Sequence, residues 1–246
     1  MRTLALDIGN TAVKVGCFDG PILHEMAAGL TAKQVREVVR QWQPLHIIVA
    51  SVAEDAALRA EELQELVPGE ILTFSPATTA IPLRNEYATP QTLGADRLAA
   101  AVGAAALRPG QATLIVDAGT ALKCDLVTAD GTYHGGSIGP GLNMRLRALH
   151  EFTGRLPLLE LPYPDATIPL TGDSTTGSLL SGVVNGTVAE ISGFIAQYQQ
   201  QYPGLGVLLT GGDAAFLAAR LPACIFVVPE LVLLGLNRIL AYHVDK

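Results

Sequence analysis

Two short stretches of this chain carry an acid, a glycine turn, a hydroxyl and a lysine in the same order. They are Asp7-Ile8-Gly9-Asn10-Thr11-Ala12-Val13-Lys14 and Asp117-Ala118-Gly119-Thr120-Ala121-Leu122-Lys123. Each follows a run suited to a buried strand, Thr3 to Leu6 and Thr113 to Val116. A strand-end carboxylate beside Gly, Thr and Lys suits nucleotide phosphates and the magnesium they carry. The glycine lets backbone N–H groups approach a ligand, the lysine is a fixed cation and the acid a hard oxygen ligand. Taken singly, either stretch also reads as a plain hairpin with a capped acid. The second copy weighs against that, because similarity over such a unit points to a duplicated domain. Both copies run on into an Asp-Gly turn, Asp19-Gly20 and Asp130-Gly131. The expected arrangement is two strand-turn-strand units with Asp7 and Asp117 lining one cleft.

A second group of candidates follows a loop over residues 75–93 that is rich in Pro, Thr and Ser and holds Asn85, Tyr87, Pro90 and Gln91. A loop this long in a compact protein is functional or loose. It leads into Leu93-Gly94-Ala95-Asp96-Arg97, with Asp96 and Arg97 in the first turn of an alanine-rich helix reaching Leu107. Asp96 there either complements the helix dipole or acts as a general base, and Arg97 is either a surface residue or a clamp on a polar substrate. Arginine in a first turn opposes the dipole, which favours a ligand role. Further on, Gly135-Gly136-Ser137-Ile138-Gly139-Pro140-Gly141 approaches a helix and could host an anion, without the spacing of a dinucleotide fingerprint or P-loop. Hydroxyls in Thr171-Gly172-Asp173-Ser174-Thr175-Thr176-Gly177 serve either as helix caps or as ligand contacts. Gly211 and Gly212, after a strand ending at Thr210, would let backbone approach a base or ribose.

The elements that must position these residues read as α/β. Residues 2–8, 12–18 and 21–27 form a meander, followed by a helix from Thr31 to about Trp42, a strand His46–Ser51, a helix from Glu54 to Leu66 and a strand from Ile71. The second half repeats the meander at 112–117, 120–128 and 132–138. It continues with a helix from Leu142, a proline-rich extended loop over 156–170, a long helix to about Gln201, a strand 206–209, a helix to Arg220, and a final strand and helix over 225–243. Three strands, then helix, strand, helix, strand describes a mixed α/β lobe. The repeat divides the chain into 1–110, with the phosphate hairpin and the start of the substrate site, and 111–246.

Bulk properties narrow the function. The chain has 246 residues, 49% hydrophobic and only 16% charged, enough to fill substantial cores. No uninterrupted apolar run reaches membrane-spanning length, and Ile225–Leu236 is broken by Pro229 and Glu230. The N-terminus is not a signal peptide. Cys17, Cys124 and Cys224 lie far apart in apolar runs and read as reduced, hence cytoplasmic. A formal charge of -7 argues against nucleic-acid binding. It also means that an anionic ligand must be held locally, by backbone N–H groups, Lys14, Arg97 and bound cations. His24, His46, His134, His150 and His243 show no catalytic or metal pattern.

Five motifs in order resemble a known family: Asp-x-Gly-Asn-Thr-x-x-Lys at 7–14, Gly-Ala-Asp-Arg at 94–97, Asp-Ala-Gly-Thr at 117–120, Gly-Gly-x-Ile-x-Pro-Gly at 135–141 and Thr-Gly-Gly at 210–212. Together they look like type III pantothenate kinase, of the superfamily that includes actin, heat-shock chaperones and sugar kinases. The resemblance implies two duplicated ribonuclease H-like lobes, mixed five-stranded sheets with flanking helices, around a nucleotide cleft. It implies ATP-dependent phosphorylation of pantothenate to 4'-phosphopantothenate, the first step of coenzyme A synthesis. Asp7 to Lys14, Thr120, Gly211 and Gly212 would then bind ATP, and Asp7 would act on magnesium, directly or through water. Tyr87, Gly94, Ala95, Asp96, Arg97 and Thr175 would contact pantothenate, with Asp96 as the base. Asp117 would bind a monovalent cation, potassium or ammonium, and the protein would be a homodimer with no membrane or nucleic-acid partner.

One departure is Lys123, where the family more often has a small or hydroxyl residue. It could compete with a monovalent cation for Asp117. Two other functions stay open at this level: a kinase for another small hydroxy acid, since fold alone does not choose a substrate, and a non-catalytic accessory regulator.

Overall fold

The computed structural model describes residues 1–9, 12–51, 56–221 and 225–244. The chain divides into two units: Met1–Gly110 with Val127–His134 and Glu230–Lys246, and Gln111–Leu126 with Gly135–Pro229.

In the first unit the apolar opening run forms β1 (Arg2–Ile8), which turns into β2 (Val13–Asp19) and β3 (Ile22–Ala28), all antiparallel neighbours. Then come α1 (Ala32–Trp42), β4 (His46–Ser51), α2 (Ala56–Gln64) and β5 (Ile71–Thr73). The sheet order is β3-β2-β1-β4-β5, with β4 parallel to β1 and β5 parallel to β4. Thr31 and Gln34 start α1 with a reciprocal capping box. The strand β1 is buried on both faces. Leu4, Leu6 and Ile8 pack with Val35, Val39 and Leu63 in the core, and the alternate residues Thr3, Ala5 and Asp7 face the other way. Asp7 thus lies near the end of the central strand. Two-residue β6 (Arg84–Asn85) pairs in parallel with Thr132 and Tyr133, and α3 (Ala95–Leu107) follows from Gly94 as its N-cap.

The second unit repeats the pattern. Its strands are β7 (Thr113–Ala118), β8 (Ala121–Val127), β9 (Thr132–Pro140), β10 (Gly206–Thr210) and β11 (Ile225–Val227), in a six-stranded sheet of order β11-β10-β7-β8-β9-β6, one strand more than the five expected because β6 pairs onto the edge of β9. Here too the central strand is the one that carries the acid, and β10 and β11 extend the sheet in parallel. Its helices are α4 (Leu142–Glu151), α5 (Thr175–Leu180), a π-helical stretch Ser181–Asn185, α6 (Gly186–Gln201) and α7 (Ala214–Ala218). The run Thr175–Gln201 is continuous and, by length and composition, apolar enough to cross a membrane. Its Val183, Val184, Ile191 and Ile195 are buried in the core of this unit, which accounts for that face as a core helix. The glycine-rich segment differs from its expected form as an open approach to a helix. It continues β9 to Pro140, and its glycines allow close backbone packing. A Cβ on Gly136 would lie 1.8 Å from the Cys124 carbonyl oxygen, and one on Gly141 would lie 2.0 Å from that of Gly119.

The closing helix α8 (Leu231–Val244) corrects the expected division, because it belongs to the first unit. It packs on α3, β1 and β4. Leu231, Leu233, Leu236, Ile239 and Leu240 are all buried, and a helix apolar on so many sides must be covered on more than one. Close packing on α3 is possible because a Cβ on Gly235 would lie 1.8 Å from the Ala99 carbonyl oxygen and one on Gly103 2.5 Å from that of Leu231. Buried Asn237 secures the register by accepting from Thr3 Oγ1 at 2.6 Å and donating to the Gly20 carbonyl at 2.9 Å. The helix bearing Asp96 is therefore clamped to the strand bearing Asp7 through α8.

Candidate active site

The hairpin between β1 and β2 sets Asp7 opposite Lys14 in strand register. Asp7 is buried and Lys14 half-buried. The turn is closed by the Gly9 N–H donating to the Ala12 carbonyl at 3.2 Å. That N–H is therefore engaged in the turn, and Asn10 and Thr11 lie outside the described residues. Ile8 sits in the core, with Val13 packed against it, so these two offer a ligand only their backbone.

Of the residues expected to meet the second substrate, Tyr87, Gly94, Ala95, Asp96 and Arg97 lie in this same unit, and Thr175 does not. Asp96 is half-buried in the first turn of α3, and its Oδ1 accepts the Arg97 N–H at 2.9 Å. The carboxylate folds back over the N-cap: a Cβ on Gly94 would stand 2.5 Å from Asp96 Oδ1. Glycine at 94 thus makes room for the acid. Ala95 is buried. Arg97, read as either surface or clamp, is 5% exposed. Its guanidinium carbon lies 5.4 Å from the Tyr87 ring centroid, and Nη1 donates to the Tyr87 hydroxyl at 3.4 Å. Tyr87 in turn stacks on buried Tyr133, centroids 6.2 Å apart, and its N–H donates to Asn85 Oδ1 at 3.0 Å. An acid, a buried cation and an aromatic wall are thereby fixed within one short stretch of fold. Chemically, such a set can take a proton from a hydroxyl while gripping a polar or anionic substrate.

In the second unit Asp117 occupies the place on β7 that Asp7 has on β1. Its turn is one residue shorter, with Gly119 N–H donating to the Ala121 carbonyl at 3.1 Å. Lys123 on β8 donates from Nζ to Asp117 Oδ2 at 2.8 Å, with the two side chains 17% and 16% exposed. Gly211 lies against the same carboxylate. Its φ is +96°, and a Cβ there would meet the Ala118 carbonyl oxygen at 2.3 Å and Asp117 Oδ1 at 2.6 Å, so only glycine fits. Gly212 has open space around it. Thr120 is exposed, and its carbonyl accepts the N–H of Gly141, the N-cap of α4. Ser174 is the cap of α5, accepting the Gly177 N–H at 3.1 Å. Thr175, its neighbour, borders a groove of about 770 Å³ with Leu149, Leu156, Asp173 and Ser178. None of Asp7, Asp96 and Asp117 lines that groove.

Asp213 follows the Gly211–Gly212 step and is a titratable group that the sequence analysis did not single out. It is half-buried, and burial pushes its carboxyl above the ordinary range. The Arg145–Glu190 ion pair was also missed, since residues 45 apart leave no local signal. Burial pushes the Cys17 thiol up to about 11 and Cys124 to about 12, so neither is a nucleophile at neutral pH. Cys224 lies outside the described residues. The histidines serve local contacts: His46 Nδ1 accepts the Glu70 N–H at 2.9 Å, and the ring of His243 lies 2.8 Å from the Ala80 carbonyl oxygen. Among the described residues no three His, Cys, Asp or Glu side chains form a metal-binding group.

The family model for type III pantothenate kinase matches residues 3–197. Two relatives of that description, from Cytophaga hutchinsonii and Phocaeicola vulgatus, are each 42% identical to the chain. They cover 98% and 99% of it, and 99% of their own lengths. Among solved structures, a conserved Baf family protein from Campylobacter jejuni, described as a transcriptional activator, superposes with a TM-score of 0.64 at 20% identity, covering 99% of this chain and 100% of that one. A ROK hexokinase from Thermus thermophilus gives 0.55 at 16% identity, with both chains fully covered. At such identities these structures speak for the fold, that of the actin-like sugar kinases. The relatives speak for more: sharing two residues in five over almost their whole length, they show that the chain belongs to the type III pantothenate kinase family.

Proposed function

We propose that this protein transfers the γ-phosphoryl group of ATP to the primary hydroxyl of pantothenate, giving 4'-phosphopantothenate and opening coenzyme A synthesis. The observation that carries the reading is the Gly94–Asp96–Arg97–Tyr87 cluster. Asp96 is the acceptor for the hydroxyl proton, and Arg97 with Tyr87 grips the pantothenate carboxylate and backbone. Ala95 and Gly94 shape the floor.

Phosphoryl transfer asks for positioning and charge neutralisation rather than covalent chemistry. Lys14, on the hairpin beside Asp7, neutralises phosphate charge, and the 7–14 turn approaches the phosphates through backbone. Thr120 and the Gly211–Gly212 step contact the nucleotide. Magnesium, which binds through one or two carboxylates together with substrate phosphates, fits the donor chemistry of buried Asp7, directly or through water. When bound it spreads phosphate charge. Asp96 need not be a strong base, since the alcohol loses its proton late in a loose transition state, and such assistance is worth about 10²–10⁴-fold.

Potassium or ammonium at Asp117, implied by the resemblance, does not fit this chain's residues, because Oδ2 already carries the Lys123 ammonium. We further propose a homodimer working in the cytoplasm. Apolar side chains exposed on the second unit, Phe152 at 85%, Tyr163 at 83% and Leu170 at 83%, support self-association, and light scattering on the purified protein tests it.

A coupled ADP-release assay with MgATP tests the reaction. The expected result is turnover that requires pantothenate. Turnover with another small hydroxy acid at higher kcat/KM, or none with pantothenate, would overturn the assignment.

A further inference from the structure

We propose that Lys123 is a built-in monovalent cation, a tethered ammonium that permanently holds the position on Asp117 where a free potassium or ammonium ion would otherwise sit. The inference rests on the kinase reading above for its consequence, but its structural basis lies wholly within the second unit. Lys123 Nζ donates to Asp117 Oδ2 at 2.8 Å, and both side chains are largely withdrawn from solvent. The other carboxylate oxygen lies beside two glycines: a Cβ on Gly211 would lie 2.6 Å from Oδ1 and one on Gly119 3.7 Å. A potassium ion needs its hydration shell replaced by several oxygens. Here it would have to share one carboxylate with an ammonium, a like charge.

Lysine is chemically suited to the substitution. Its ε-ammonium is a compact point charge with three N–H donors, so it presents what a free ammonium ion presents, less one donor. The tether makes occupancy intramolecular, which removes the entropy of recruiting an ion from solution. The repeat supplies the route. Lys123 lies two residues beyond Ala121, which closes the Gly119 turn, as Lys14 lies two beyond Ala12, which closes the Gly9 turn. In the second copy the lysine side chain reaches back to the strand-end acid. The result is a fixed positive charge at the end of β7 in an acidic chain that must hold an anionic nucleotide, and a preformed charge needs no reorganisation during reaction.

The test compares wild type with Lys123→Ala, and with Lys123→Met should the alanine variant fail to fold. Turnover and melting temperature are read in potassium-free buffer and after adding about 100 mM KCl, NH4Cl or NaCl at constant ionic strength, where an ion held with millimolar affinity adds stability. Wild-type turnover is expected to change less than about twofold on adding KCl, with no rise in melting temperature beyond that given by NaCl. The variant is expected to lose about tenfold or more without potassium, the scale of one preorganised charge. KCl or NH4Cl should restore it where NaCl does not, and KCl should raise its melting temperature by about 5 °C. A wild type stimulated more than about threefold by potassium, or stabilised specifically by it, overturns the inference and leaves the kinase standing. A variant indifferent to potassium in both readings overturns it too and makes the pair purely structural. Absence of pantothenate-dependent turnover in every salt sinks the kinase reading instead, and the melting curves then decide the cation question alone.

Discussion

Replacing Gly94 with alanine would place a methyl carbon 2.5 Å from Asp96 Oδ1. Carbon and oxygen rest at about 3.4 Å or more, so the carboxylate must retreat by roughly 1 Å. The obstructed atom is the tip of a side chain, which can rotate, so the strain is relieved by moving the proposed base rather than by unfolding the helix. The backbone of Gly94, at φ -61° and ψ 132°, is open to alanine. Alanine is a poorer N-cap than glycine by up to about 1 kcal/mol, partly offset by a less flexible unfolded chain. The melting temperature should therefore move by no more than about 3 °C. Catalysis should suffer far more, because a 1 Å misplacement of a reacting group is worth about 10²-fold. The assay is ADP release for Gly94→Ala, Asp96→Asn and the double variant. Asp96→Asn is expected to lose about 10²–10⁴-fold in kcat. The double variant should match Asp96→Asn, since two changes acting through one group do not add. Gly94→Ala activity within about threefold of wild type at an unchanged melting temperature, or losses that simply multiply, would refute the reasoning.

Lys14→Met should lower kcat/KM for ATP by about 10²–10³-fold while leaving the fold intact, because it removes a preorganised charge from a half-buried strand position; thermal melting beside kinetics separates the two. Gly235→Ala should behave oppositely. Its Cβ would lie 1.8 Å from the Ala99 carbonyl oxygen, a backbone atom that cannot rotate aside. Destabilisation of about 1–3 kcal/mol is expected by denaturant titration, and an unchanged midpoint would show that α3 and α8 can separate freely. Asp213 supplies a pH signature. Burial raises its carboxyl in the folded state, so the folded protein holds that proton more tightly than the unfolded chain. Its contribution is fully present below the unfolded value of 3.8 and is lost as pH rises through the folded value. Asp213→Asn should therefore melt higher than wild type at pH 7, with the difference shrinking toward pH 4. A gap that is constant with pH would assign the effect to something other than charge burial.

Much of the candidate site was legible because its signals are local. Asp7 and Asp117 each precede a glycine turn, and the apolar runs before them have nowhere to go but a central strand buried on both faces. Gly94, Asp96 and Arg97 sit in one helical turn, so their proximity follows from chain connectivity. The Thr31 capping box and the strand at His46–Ser51 were readable for the same reason. What the residues do to one another was less readable. The glycines at 136 and 141 invite a ligand in sequence, yet they accommodate neighbouring carbonyls, because glycine permits any close approach and does not say of what.

The duplication, the order of strands and helices, and the residue types available for phosphoryl transfer all follow from the amino-acid order alone. Periodicity and turn chemistry act over a few residues and survive without tertiary context. That α8 leaves the second half to cover α3 and β1, and that Arg97 is buried against Tyr87, emerges with the folded chain and not before. The same holds for the Lys123 ammonium resting on Asp117. Each of these depends on side chains meeting across different elements or loops, where burial and charge are set by neighbours that one-dimensional spacing does not specify.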